Sequence, residues 1–257
     1  RLMRPTHLLS MQARTSVSLR LFRRLGSLLL PLPGVVLATV HLYSQAPVVY
    51  TPKALLTTDP RVFTDWLETK RPPSVSPGEK ARILAALPSE GEVTLLDDAG
   101  RQKLAALKEL LRATGRDSYD VKVTDVAYAR ICVFERSVVL ISKSALTLLD
   151  AEDLQALVAH EIGHEYFTLD YEYAFTLQDH RRLKDLELLC DAFAILTLHR
   201  LGMSPARLMG AVEKIDRYNQ ERFAERIDGA NYPTIAERRS FARGLTAWLH
   251  AAVKAGV

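Results

Sequence analysis

The chain has 257 residues and a formal net charge of +4, a balance that invites a nucleic-acid reading until the charge is located. Six of its 34 basic residues (Arg1, Arg4, Arg14, Arg20, Arg23 and Arg24) precede Pro47 and none of the 30 acidic ones does, so the remainder carries 28 basic against 30 acidic groups, net −2, and a nucleic-acid partner loses its support. Two cysteines, Cys132 and Cys190, make no disulfide framework and lack zinc-finger spacing, and there is no Gly-rich phosphate loop or internal repeat.

In chain order, residues 1–46 read as a leader. Arg20, Arg23 and Arg24 form a basic region, residues 25–40 an apolar run broken by Pro31, Pro33 and Gly34, and Ser44-Gln45-Ala46 places small residues at −3 and −1 of a cleavage site. An exported, periplasmic or otherwise extracytoplasmic protein cleaved near Ala46 is expected. The alternative is an uncleaved membrane anchor, against which the two prolines and the short run argue. No second apolar stretch is long enough to span a bilayer, so a domain with at most peripheral membrane association is implied. Residues 47–92, with Pro52, Pro60, Pro72, Pro73, Pro77 and Pro88, are expected as a variable segment including a flexible linker at 70–78. Residues 93–257 are left for the folded domain, ample for one core. A Leu104, Leu107, Leu111 stripe predicts a packing helix over 100–113, strand-like runs follow at 119–127, 130–134 and 138–142, and from Asp150 onward the chain reads as helical.

His160-Glu161-Ile162-Gly163-His164 is an HExxH motif. On a helix, residues four apart share a face, so two imidazoles can grip one Zn²⁺ while the adjacent carboxylate reaches a zinc-bound water as general base. The upstream flank supplies the helix start: Asp150 as N-cap, Asp153 at N3, Leu149 and Leu154 as a hydrophobic staple, and acidic residues at the positive end of the dipole. Two His leave a catalytic zinc one protein ligand short. A second helix over 181–201, with Gly202 just past its end, supplies Glu187 and, one turn later on the same face, Asp191. Glu187 interrupts a mostly apolar run, where an unpaired carboxylate is costly. One carboxylate can ligate zinc while the other holds the free N–H of a ligand His, although both would also fit an amphipathic surface.

The HEIGH helix followed by the stretch Glu187-Leu188-Leu189-Cys190-Asp191-Ala192-Phe193-Ala194 resembles the gluzincin metallopeptidases of the HtpX and CAAX prenyl protease family, whose pattern is HExxH followed by ExxxD on the next helix. The run from Ser137 to Leu146 is similar to the strand and connector before that family's HExxH helix, and Leu201-Gly202-Met203-Ser204-Pro205 to the turn after its ExxxD helix. The resemblance covers about half the chain, residues 121–251. It implies one zinc held by His160, His164 and Glu187, Glu161 as general base and Asp191 behind the ligands. It also implies an α+β, mainly helical fold with a small sheet whose edge strand, expected at Ser137, Val139 and Ile141, pairs with an extended peptide substrate. Where the family often has a His-Pro pair before its last helix, Tyr232-Pro233 stands here, so Tyr232 is either the oxyanion donor or a residue packed at a helix start. That helix is announced by a capping box of Thr234 and Glu237. The function expected is a zinc metalloendopeptidase, in envelope protein quality control, with a non-catalytic zinc sensor or chaperone-like domain as alternative. His180 is the reserve third ligand.

Overall fold

Three short helices, α1 (Pro52–Leu55), α2 (Pro60–Thr69) and α3 (Pro77–Ala86), stand where composition suggests a variable, partly flexible segment. The structure, a computed structural model, describes residues 50–57, 59–87, 91–224 and 229–254; the leader expected over 1–46 lies outside them. The prolines start helices here, because a first-turn residue has no intrahelical N–H bond to lose. Ser76 and Pro77 are N-cap and first residue of α3, and the Ser76 hydroxyl accepts from Glu79 N at 3.3 Å. Tyr50, Leu55, Phe63 and Leu67 are buried in the core. Phe63 stacks on Trp66 at 5.6 Å and Trp66 on Phe167 at 5.7 Å. The folded unit therefore begins at Tyr50 and not at residue 93, and only residues 71–76 carry no regular structure within the expected linker.

α4 (Asp98–Ala113) follows, capped by Asp97 and burying Leu107, Leu110 and Leu111. Next come β1 (Asp120–Thr124), β2 (Ile131–Phe134) and β3 (Val138–Ser142), in the order β1-β3-β2, with β3 parallel to β1 and antiparallel to β2. Here the expectation of an edge strand at Ser137 to Ile141 is overturned. β3 is the central strand, its backbone paired on both sides, and Ser137, Val139 and Ile141 are buried. The run reads as apolar because it is enclosed on both faces, which is the signature of an interior strand. The Gly91–Val93 segment covers part of the outer side of β1, with Val93 N donating to Val123 O at 2.8 Å. β2 is left with an edge unpaired among the described residues.

α5 (Lys143–Leu148) leads into α6 (Ala151–Tyr166), the helix around which the rest is arranged: α4, α8, α9 and β2 all pack on it. Its Leu154, Ala156, Leu157, Val158, Ala159, His160, Ile162 and Gly163 are buried, together with Asp153 and Glu165, so it is enclosed on most sides and shows no simple polar face. The expected N-cap is in place, with Asp150 Oδ1 accepting from Asp153 N at 2.8 Å. A helix that the pattern did not signal, α7 (Thr168–Thr176), fills the connection to α8 (His180–Arg200). α8 ends where Gly202 turns to φ +71° and Met203 N reaches back to Leu198 O at 2.9 Å. α9 (Ala206–Phe223) and α10 (Ile235–Lys254) complete an α+β, mainly helical fold, and the Thr234–Glu237 capping box at α10 forms as expected. No helix among the described residues is long and apolar enough to cross a membrane.

Candidate metal centre

One turn of α6 brings His160, Glu161 and His164 together, each with a potential ligand atom within 4.8 Å of the others. The two imidazoles meet edge to face, with centroids 5.0 Å apart. What brings α8 to them is Gly163. A Cβ there would stand 2.9 Å from Cys190 Cα, closer than side chains tolerate, so only glycine lets the two helices touch backbone to backbone. Cys190 lies between Glu187 and Asp191, and that contact carries both carboxylates under the imidazoles.

Glu187 Oε2 lies 3.5 Å from His160 Nε2 and its Oε1 lies 3.8 Å from His164 Nε2. Two donors on one tetrahedral zinc are about 3.4 Å apart when the bonds are about 2.1 Å, and the two separations, each to a different oxygen of Glu187, are close to that spacing. Asp191 Oδ1 is 2.9 Å from His160 Nδ1, an ion-pair separation without hydrogen-bond alignment, and that buried nitrogen has no hydrogen-bond partner among the described residues. Glu161 also lies within ligand range, but it follows His160 by one residue and so stands off the shared His160–His164 face. Glu187 is the better third donor because it approaches both imidazoles from the facing helix. His180 takes no part; its Nδ1 is 2.6 Å from Asn231 Oδ1 at the exposed start of α8.

Two residues that sequence reasoning missed complete the site. Arg238 of α10 is 3% exposed and donates to Glu187 Oε2 at 2.7 Å and to Asp191 Oδ1 at 2.6 Å. Tyr171 of α7 donates its hydroxyl to Glu187 Oε1 at 2.8 Å, and its ring lies 5.0 Å from that of His164. The signal for Arg238 was present: it shares the apolar face of α10 with Phe241, Ala242, Leu245 and Leu249, an arginine at a core position. Tyr171 had none, since α7 carries no clear stripe.

The electrostatics show what the cluster lacks. Burial pulls the His160 pKa down, but the Asp191 and Glu187 carboxylates beside the ring override it and push it up to about 10. Burial would raise Glu187, yet His164, His160 and Arg238 hold it well below the usual carboxylate range. Arg238 is itself raised, its burial outweighed by Asp191 and Glu187. Carboxylates that favour the charged form of a buried imidazole mark a site short of positive charge. With His160 counted as neutral, the form a metal ligand takes, Glu161, Glu187 and Asp191 against Arg238 leave a formal excess of two negative charges, which one divalent cation would neutralise.

Tyr232 stands at the rim, 38% exposed. Burial first, and then the charges of Glu187 and Glu161, raise the pKa of its hydroxyl. Ser137, at the start of the enclosed central strand, and Val139 and Ile141 within it offer no open edge. The strand that packs against α6 is β2, and its Cys132 thiol feels the Glu161 charge; burial first and that charge second push the thiol up to about 11. Comparison with protein-family models and with the curated proteins gives no match for this chain.

Proposed function

We propose that this protein is a zinc-dependent peptidase similar to the gluzincins of the HtpX and CAAX prenyl protease family, with His160, His164 and Glu187 as zinc ligands. The observation that carries the reading is the convergence of Glu187 on both imidazoles of an HExxH helix, at 3.5 and 3.8 Å, with Asp191 behind His160. Zinc, when bound, supplies a Lewis acid that polarises a scissile carbonyl and eases deprotonation of water. The protein's own part follows from its contacts. Glu161, free of the carboxylate clamp on α8, takes the proton of the attacking water and delivers it to the leaving amine. Asp191 lies behind His160 as a charge partner at 2.9 Å, while Arg238 and Tyr171 hold the Glu187 carboxylate to one pose. Tyr232 is the candidate donor to the developing oxyanion.

The substrate strand is reassigned to β2. Arg130 O accepts from Ser142 N at 2.9 Å, so the close pairs with β3 fall at residues 130, 132 and 134, and the N–H and C=O groups of Ile131 and Val133 point outward. An extended peptide paired there would run alongside α6. Export through the leader, and a role in envelope protein quality control, are part of the same proposal and rest on the sequence.

One observation favours a second reading. Arg238 already pairs with Glu187 Oε2 and Asp191 Oδ1 as in a metal-free ion cluster, which suits a non-catalytic domain. Zinc analysis of the purified Glu187→Ala variant separates the two: the peptidase reading expects about one zinc per chain in the wild type and strong loss in the variant, whereas a full complement in the variant removes Glu187 from the ligand set.

A further inference from the structure

The open edge of β2 is closed at one end. Outward-facing backbone recurs every second residue, so the position before Ile131 and Val133 in that series is Ala129. There the edge is already occupied. Asn219 of α9 accepts from the Ala129 N–H through Oδ1 and donates from Nδ2 to the Ala129 carbonyl, each at 2.9 Å. One amide side chain thus makes the same pair of bonds that a residue of an added strand would make. The next residue, Arg130, faces the other way: its N–H donates to the Ser142 hydroxyl and its carbonyl accepts from Ser142 N, both at 2.9 Å. Ala129 and Asn219 are each 1% exposed, so the pair is closed to any other strand. Around it, α9 is fastened to the approach to β2. The Tyr218 hydroxyl donates to Ala127 O at 3.3 Å, and Phe223, one turn past Asn219 on the same face, packs on Tyr128 with ring centroids 5.6 Å apart. Phe223 still keeps 43% of its surface exposed.

We propose that α9 is an end stop for the β2 edge, so that the site takes an extended peptide of about five residues with an apolar or aromatic side chain at the closed end, against Phe223. The proposal rests on the peptidase reading, with β2 as its substrate strand, and gives its substrate class. Only Ile131 and Val133 offer outward N–H and C=O groups among the described residues, so pairing spans three peptide residues with one more at each side. A peptide that continues toward Ala129 must leave the edge. Backbone pairing supplies affinity without reading sequence. An exposed aromatic ring held in place by a second ring supplies the reading, because an apolar side chain covers it and a small polar one does not.

The test follows backbone amides by hydrogen exchange in NMR spectra of the full chain, zinc-loaded and carrying Glu161→Gln so that peptides survive. Without peptide, the Ala129 N–H should exchange at least about tenfold more slowly than those of Ile131 and Val133. The probes are blocked pentapeptides of alternating valine and threonine, with Phe or Ser at the first or the last position. Bound, they should slow exchange at Ile131 and Val133 and leave Ala129 unchanged. Phe should bind about five- to tenfold more tightly than Ser at one end only. Phe223→Ser, a change at an exposed position, should remove that preference while Ala129 stays protected. Three further residues beyond that end should add no affinity. Exchange at Ala129 as fast as at Ile131, a preference that survives Phe223→Ser, or a gain in affinity on lengthening overturns the proposal. Protection of Ile131 and Val133 without any cleavage by the wild type leaves the end stop in place and sinks the hydrolase reading, while chelator-sensitive cleavage without that protection does the opposite.

Discussion

Arg238 is the residue on which the two descriptions of the site meet. Burying a guanidinium at 3% exposure is tolerable only because two carboxylates receive it, and those same carboxylates face the imidazoles. Arg238→Met leaves Glu187 and Asp191 buried beside His160 with no fixed cation. Removing one partner of such a group costs about 3 to 5 kcal/mol. Denaturant melts of the metal-free variant should show that loss, and saturating zinc should recover part of it by mass action. A variant as stable as the wild type in chelator would mean that the cluster is not coupled as described. The sequence carried this residue in view, as an arginine in the apolar stripe of the last helix. It went unread because a stripe interrupted by charge is ordinarily a solvated face, and only the distant Glu187 and Asp191 make the interruption meaningful.

At the scale of elements, the site depends on the crossing of α6 and α8, and the crossing depends on a hydrogen atom. Gly163→Ala forces a methyl to within 2.9 Å of Cys190 Cα, a backbone atom with little freedom to retreat. Overpacking of this kind costs about 1 to 3 kcal/mol, and here it also draws Glu187 away from the imidazoles. Thermal melts and zinc titrations of Gly163→Ala should both weaken; unchanged zinc affinity would show that the helices can part without moving the ligands. The capped starts of α6 and α10, the Gly202 stop of α8 and the clustering of His160, Glu161 and His164 were legible because each rests on local chemistry. Strand order was not. A buried run such as Val138–Ser142 states that it is enclosed, and says nothing of which neighbours enclose it. The β2–β3 turn is equally silent, since Glu135 and Arg136 adopt φ values of +48° and +51° without the Asn-Gly pair that usually announces such a turn.

For the molecule as a whole, the folded unit reaches back to Tyr50, and the aromatic set of Tyr50, Phe63, Trp66 and Phe167 ties that early segment to the end of α6. Composition concealed this, because prolines that begin helices look like prolines that prevent them. Charge in the core also gives the whole protein a pH signature. His160 is raised from 6.5 to about 10, so metal-free protein holds its stabilisation below about pH 6.5 and loses it as the pH climbs toward 10. Glu187 is lowered, so its contribution is present above its unfolded value near 4.3 and fades as the pH falls below it. Metal-free stability should therefore peak between about pH 4.5 and 6.5. Zinc requires His160 neutral, so stabilisation by zinc should grow across the range in which the metal-free protein weakens. Melts with zinc and with chelator across pH 5 to about 9 check this, and parallel curves would contradict it.

If a zinc held on α6 and α8 supports peptide hydrolysis with Glu161 as the base, zinc content and cleavage of a quenched peptide library must move together. Both are measured on wild type and on Glu161→Gln, with chelator added and then zinc restored. The wild type should cleave, stop with chelator and recover with zinc, and Glu161→Gln should keep its zinc but lose at least about a hundredfold in rate. Near-wild-type cleavage by Glu161→Gln, or cleavage indifferent to chelator in protein shown to be zinc-free, would contradict that mechanism.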